Sequence, residues 1–152
     1  LGMSWLARVG LEKFPDRYPH ELSGGMRKRV AMAQTLIADP DILLMDESFS
    51  ALDIQTRQLM EDELLAIWQE KKKAVLFITH DLDEAIAMSD RVVVFSAGPA
   101  SHPIGDFPIT LERPRNVAEI RMTPAFNESH AAIWNVLRDE VLKSYQQHRA
   151  VI

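Results

Sequence analysis

The stretch Asp41-Ile42-Leu43-Leu44-Met45-Asp46-Glu47 closes a continuous apolar run with two adjacent carboxylates. A short run of this kind is the pattern of a strand buried on both faces. In α/β sheets, ligands gather at the carboxyl ends of strands. An aspartate there can hold Mg²⁺ directly or through water, and a second carboxylate beside it can polarise an attacking water. A solvated strand end with two surface acids has the same appearance, so this stretch alone leaves both readings open. Leu22-Ser23-Gly24-Gly25-Met26 precedes a helical pattern. Its glycines let backbone approach an anion closely, Ser23 adds a hydroxyl, and the helix start contributes free N–H groups. A plain Ser N-cap with a glycine-rich turn explains it equally simply. Ser50-Ala51-Leu52-Asp53 reads as a loop and an N-cap. Thr79-His80-Asp81 ends a second apolar run, where a histidine can hydrogen-bond a phosphate or a water, although a lone histidine is more often an ordinary surface residue.

The elements that must hold these residues follow from periodicity and punctuation. Residues 1–20 carry scattered apolar positions, interrupted by Pro15, Tyr18, Pro19 and His20. Apolar positions recur at helical spacing through Met26–Ala38, and Asp39-Pro40 stops that helix. Residues 41–46 form a strand. Asp53 caps a helix over 54–71 whose inward stripe is Leu59, Leu64, Leu65, Ile67 and Trp68. Residues 74–79 form a second buried-type strand, and Asp81 with Glu84 makes a capping-box pattern for a helix over 82–89. Residues 91–96 and about 104–109 read as strands joined by Ala97-Gly98-Pro99, an antiparallel hairpin at the edge of the sheet. Thr123-Pro124 starts a closing helix from Ala125 to about Gln147. Strand–helix alternation with apolar strands predicts an α/β fold with a parallel sheet, a helical entry and a helical tail.

Taken together, Leu22–Met26, Ile42–Glu47, Ser50–Asp53 and Thr79–Asp81 resemble, in order and separation, the ATP-binding subunit of an ABC transporter. The resemblance covers residues 20 to about 97, and the rest more loosely. It implies a partial P-loop NTPase (RecA-like) core with parallel strands flanked by helices. Residues 1–40 would end the helical subdomain with the signature motif, 41–110 would be the C-terminal part of the ATPase core, and 111–152 a helical tail. By this resemblance the cofactors are ATP and Mg²⁺. Ser23, Gly24 and Gly25 are the signature contacts to nucleotide, and Asp53 belongs to the D-loop. Asp46 is the metal aspartate, Glu47 the catalytic glutamate and His80 the switch histidine. The implied partners are a second ATP-binding subunit in a head-to-tail dimer, transmembrane permease subunits and, indirectly, a substrate-binding protein. The implied place is the cytoplasmic face of the inner membrane. Met26, the Thr79–Ser96 stretch and Leu111-Glu112-Arg113-Pro114-Arg115 before a Trp134-containing helix resemble importers of nitrate, sulfonate or taurine. Ser48 departs from the proline usual after the two acids, and Lys28 from a common glutamine.

Composition narrows the classes further. Lys+Arg 17 against Asp+Glu 22 gives a net charge of −5, so no global basic field recruits nucleic acid. No apolar run reaches the roughly 18 residues of a membrane helix. Zero cysteines excludes disulfides, thiolate catalysis and cysteine metal sites. None of the six glycines is followed by Lys, so the phosphate-cradling G-x-x-x-x-G-K-[ST] is absent. The expectation is therefore a fragment of a transport ATPase, inactive alone. A naturally short half-ATPase serving a complete partner is the alternative. An ABC-type DNA-repair ATPase stands behind both, because its long heptad segments are lacking.

Overall fold

The computed structural model describes the backbone of residues 1–149 and the side chains of residues 1–142. The chain divides into two compact units, Leu1–His80 and the part that begins at Asp81.

In the first unit, α1 (Gly2–Arg8) ends where Gly10 takes a left-handed φ of 68°. The Gly10 and Leu11 amides return to the Ala7 and Leu6 carbonyls, a closure glycine permits without strain. The Arg29 guanidinium reaches across from α2 (Gly24–Ile37) and donates to Val9 O at 3.0 Å, joining the two helices. β1 (Ile42–Asp46) and β2 (Ala74–Ile78) pair in parallel, with Ile42 opposite Ala74 and Asp46 opposite Ile78. The crossover between them is α3 (Ile54–Lys71), over the range its cap and periodicity predict. Its buried stripe is Met60, Glu61, Leu64, Leu65 and Ile67. Leu59, expected inside, is 70% exposed. Positions 60, 64 and 67 lie on one face with 61 and 65, and Leu59 falls a residue outside it. Trp68 is half-buried and its indole N–H donates to Lys73 O at 2.8 Å.

The strands correct a second expectation. Leu43 and Met45 are buried, but Ile42, Leu44, Leu76 and Ile78 are exposed. On one face Leu43 and Met45 are buried while their β2 neighbours Val75 and Phe77 are exposed and half-buried, and the other face is open, so the continuous apolar run reports two apolar faces rather than two covered ones.

The second unit holds α4 (Leu82–Met88), β3 (Arg91–Phe95), β4 (Pro103–Pro108), α5 (Val117–Ile120) and α6 (Pro124–Arg149). β3 and β4 pair antiparallel with an irregularity at Val94/Phe95. They form a two-stranded sheet of their own rather than extending the parallel one. Their partners are α4 and α6, which pack on them. Gly105 lies where a Cβ would collide with the Phe107 ring. Thr123 Oγ1 accepts from the Phe126 amide at 3.3 Å, the expected start of the long closing helix. His130 lies 3.5 Å from Asp83, while the side chain of His148 lies outside the described residues. Among the described residues no helix is long and apolar enough to cross a membrane.

Arg115 organises this unit. Its side chain is fully buried. Nη1 donates to Ser89 O at 2.8 Å and Ala87 O at 3.2 Å, and Nη2 to Leu111 O at 2.8 Å. Those acceptors include carbonyls at the end of α4, which have no partner within the helix. Burial, with Arg113 nearby, pushes the guanidinium down to about 10, while Asp90 opposes the shift.

Candidate functional site

Every residue singled out for chemistry belongs to the first unit. Ser23 caps α2 by accepting from the Met26 amide at 3.2 Å, which uses an oxygen lone pair and leaves its O–H able to donate. Gly25 packs against the next loop. A Cβ there would meet Leu52 Cδ2 at 3.3 Å and Ala51 O at 3.6 Å. A side chain there would require Leu52 to give by a few tenths of an ångström.

The loop after β1 is pinned by apolar anchors. Phe49 is completely buried, with its ring edge-on to Phe77 at 5.7 Å, and Leu52 is buried beside it. These pins raise the polar residues between them to the surface. Asp53 Oδ1 accepts from the Thr56 amide at 3.0 Å and caps α3. That hydrogen bond, more than any charge, holds the Asp53 carboxyl below its ordinary range.

Glu47 occupies the turn itself, with a left-handed φ of 43° that side-chain-bearing residues rarely adopt. Its amide donates to Ile78 O at 2.9 Å, which prolongs the β1–β2 ladder by one bond. Its carbonyl accepts from the Ser50 amide at 3.2 Å, Ser50 Oγ at 2.9 Å and Lys28 Nζ at 3.0 Å. Lys28 also reaches Ser50 Oγ at 3.0 Å. The carboxylate lies 3.0 Å from His80 Nδ1, and both side chains are at least half exposed. Thus two residues 33 apart in sequence meet at the ends of adjacent strands.

Asp46 lies exposed at the end of β1, on the open side with Ile42 and Leu44. Among the described residues no group of three or more His, Cys, Asp or Glu could hold a metal by itself. A lone aspartate still suits Mg²⁺, which commonly takes one or two carboxylates and fills its shell with water and substrate phosphates. The donor set therefore fits the cation bound together with a polyphosphate.

Sequence reading singled out Ser23, Gly24, Gly25, Asp46, Glu47, Asp53 and His80; the structure brings Glu47 and His80 together and adds Lys28 and Phe49, which sequence reading did not single out. Phe49 had a signal, a large aromatic between two serines. Lys28 had none, since its partners lie 19 and 22 residues away.

The sequence profile described as ABC transporter matches residues 3–50, from the entry helix through the loop after β1. An ABC transporter ATP-binding protein of Methanocaldococcus jannaschii is 52% identical over 95% of this chain and 52% of its own length. The match is to the ATP-binding proteins of ABC transporters. The nitrate import ATP-binding protein NrtC of Synechococcus elongatus is 41% identical over 93% of this chain and 20% of its own length. Among solved structures, a dimeric ATP-binding cassette in a post-hydrolysis state, bound to ADP and Pi, is similar with a TM-score of 0.56. It is 34% identical, over 60% of this chain and 39% of that one. This chain spans about half the length of the first of these relatives. The ABC cassette likeness agrees with the parallel β1–α3–β2 crossover, a partial P-loop NTPase core.

Proposed function

We propose that these residues are the C-terminal part of the ATP-hydrolysing subunit of an ABC importer. The observation that carries this reading is the fixed Glu47 turn, which sets a carboxylate 3.0 Å from His80 at the ends of two parallel strands. Glu47 accepts a proton from the water that attacks the terminal phosphorus of ATP, and the bond to the bridging oxygen of ADP breaks in line. His80 donates an N–H toward the phosphate oxygens. Asp46 would hold Mg²⁺, which when bound neutralises charge on the phosphates. Ser23, Gly24 and Gly25 offer a hydroxyl and amides to the nucleotide of a second subunit placed head to tail, and the loop through Asp53 lies beside them.

The phosphate cradle comes from outside these residues, so activity belongs to the complete polypeptide. Its partners are a second ATP-binding subunit and transmembrane permease subunits, with a substrate-binding protein acting through the permease. It works at the cytoplasmic face of the inner membrane and binds no nucleic acid. The cargo is a small oxyanion of the nitrate, sulfonate or taurine kind, a reading supported by similarity to a nitrate import protein.

Two measurements test this. The DNA upstream of Leu1 should continue the reading frame and encode G-x-x-x-x-G-K-[ST], whereas a start signal at that point favours the short interaction module. In the complete polypeptide, Glu47→Gln should abolish steady-state phosphate release by roughly 10²–10⁴-fold and spare ATP binding. Turnover close to the parent rate would show that Glu47 is not the base.

A further inference from the structure

The Glu47 carbonyl collects three donors, and two of them are local. The Ser50 amide and hydroxyl close the turn on itself. The third, Lys28 Nζ, comes from the second turn of α2, 19 residues earlier. It also engages Ser50 Oγ, so one ammonium holds both the carbonyl and the hydroxyl that supports it. Ser48 follows Glu47 and carries no ring to restrict the turn. The left-handed backbone at Glu47 therefore depends on hydrogen bonds to fix its peptide plane, and that plane sets where the carboxylate points.

We propose that Lys28 is a positioning residue for Glu47, acting through the main-chain carbonyl rather than touching the substrate. This rests on the reading of Glu47 as the base. An ammonium suits the task because it bonds two acceptors at once and its stem, half-buried on α2, fixes its origin. Without it the two Ser50 bonds remain, but the Glu47 carbonyl loses its hydrogen bond to the helix that Ser23 caps. Displacing a base by about 1 Å can cost up to roughly 100-fold in rate.

The test is ATP hydrolysis by the complete polypeptide carrying Lys28→Met, Lys28→Gln or Lys28→Arg. Lys28→Met should lower kcat by about 10- to 100-fold with KM for ATP changed less than about twofold. Lys28→Arg, which retains a charged donor, should recover most of the loss. Lys28→Gln, shorter and neutral, should fall between. If Lys28→Met fails to fold, Lys28→Gln with Ser50→Ala carries the same comparison. Single-turnover rates on the Glu47→Gln background decide the route. Lys28→Met should then cost almost nothing more, because its effect passes through a base already removed. An equal further loss on that background, a parallel rise in KM, or unchanged kcat in a folded Lys28→Met protein overturns the proposal. Parent-like turnover by Glu47→Gln alone instead overturns the role of Glu47 and is read separately.

Discussion

Replacing Arg115 by Met should destabilise the second unit by about 3 kcal/mol, since each buried carbonyl left without a donor costs about 1–3 kcal/mol. The magnitude follows from what the guanidinium does. It makes three well-formed bonds, at 2.8 Å to Ser89 O, 2.8 Å to Leu111 O and 3.2 Å to Ala87 O. Each charge-assisted bond contributes about 1.5–3 kcal/mol. Against that sum stands the desolvation of a fully buried cation, which is also the first cause of the lowered Arg115 pKa. Met keeps the apolar stem and its packing but leaves carbonyls at the end of α4 without a donor. The Arg115→Lys variant restores charge as a single compact head and should recover less than half. Urea unfolding of the 152-residue chain measures this. Trp134 reports on the second unit, and Trp5→Phe with Trp68→Phe silences the first. A loss near 3 kcal/mol would remove much of the stability a domain of this size possesses, roughly 5–15 kcal/mol. If Arg115→Met unfolds within about 1 kcal/mol of its parent, the carbonyls are satisfied some other way and the reasoning fails.

The isolated 152 residues should bind Mg·ATP no better than millimolar, because Asp46 and Glu47 face the triphosphate with no phosphate cradle; a micromolar constant by titration calorimetry would contradict this. The same chain should bind an apolar dye and self-associate through Ile42, Leu44, Leu76 and Ile78, whereas a dye-free monomer by size exclusion would count against an accessible apolar face. In the complete polypeptide, Asp46→Asn should weaken Mg²⁺ dependence and ATP binding together, separating it from Glu47→Gln, which spares binding. Asp39 is held low by Lys71 and Lys73, Asp53 by the Thr56 amide and Asp106 by Arg91. Their stabilisation is present above the unfolded carboxyl value of about 3.9 and is lost as pH falls below it. Unfolding midpoints should therefore drop below about pH 4, and constant midpoints down to about pH 3 would refute the assignment.

Local grammar made most elements legible. Asp53 before α3, Asp81 before α4 and Thr123 before α6 each accept the amide three residues on, as their types promise. Leu59 misled because residue type was weighed above phase, and Glu61, which no polarity rule places inside, took the buried position. The apolar runs of β1 and β2 record what each face is made of and not what covers it. At the site, Asp46, Glu47 and His80 were singled out through the four motifs taken together, and the strand pairing brings Glu47 and His80 within 3.0 Å. The Lys28 link was invisible because it joins segments that only the tertiary fold brings together.

Because β1 and β2 run parallel, their register cannot close until the 18-residue α3 has carried the chain back. The paired residues lie roughly 30 apart, a non-local contact of the kind that forms slowly. The hydrogen bond from the Glu47 amide to Ile78 O is the last rung of that ladder. A slip of one residue would move Ile78 by about 3.3 Å and turn its side chain to the opposite face. The turn that aims Glu47 therefore inherits part of its accuracy from the pairing of two strands, beside the hydrogen bonds that Ser50 and Lys28 make to its carbonyl.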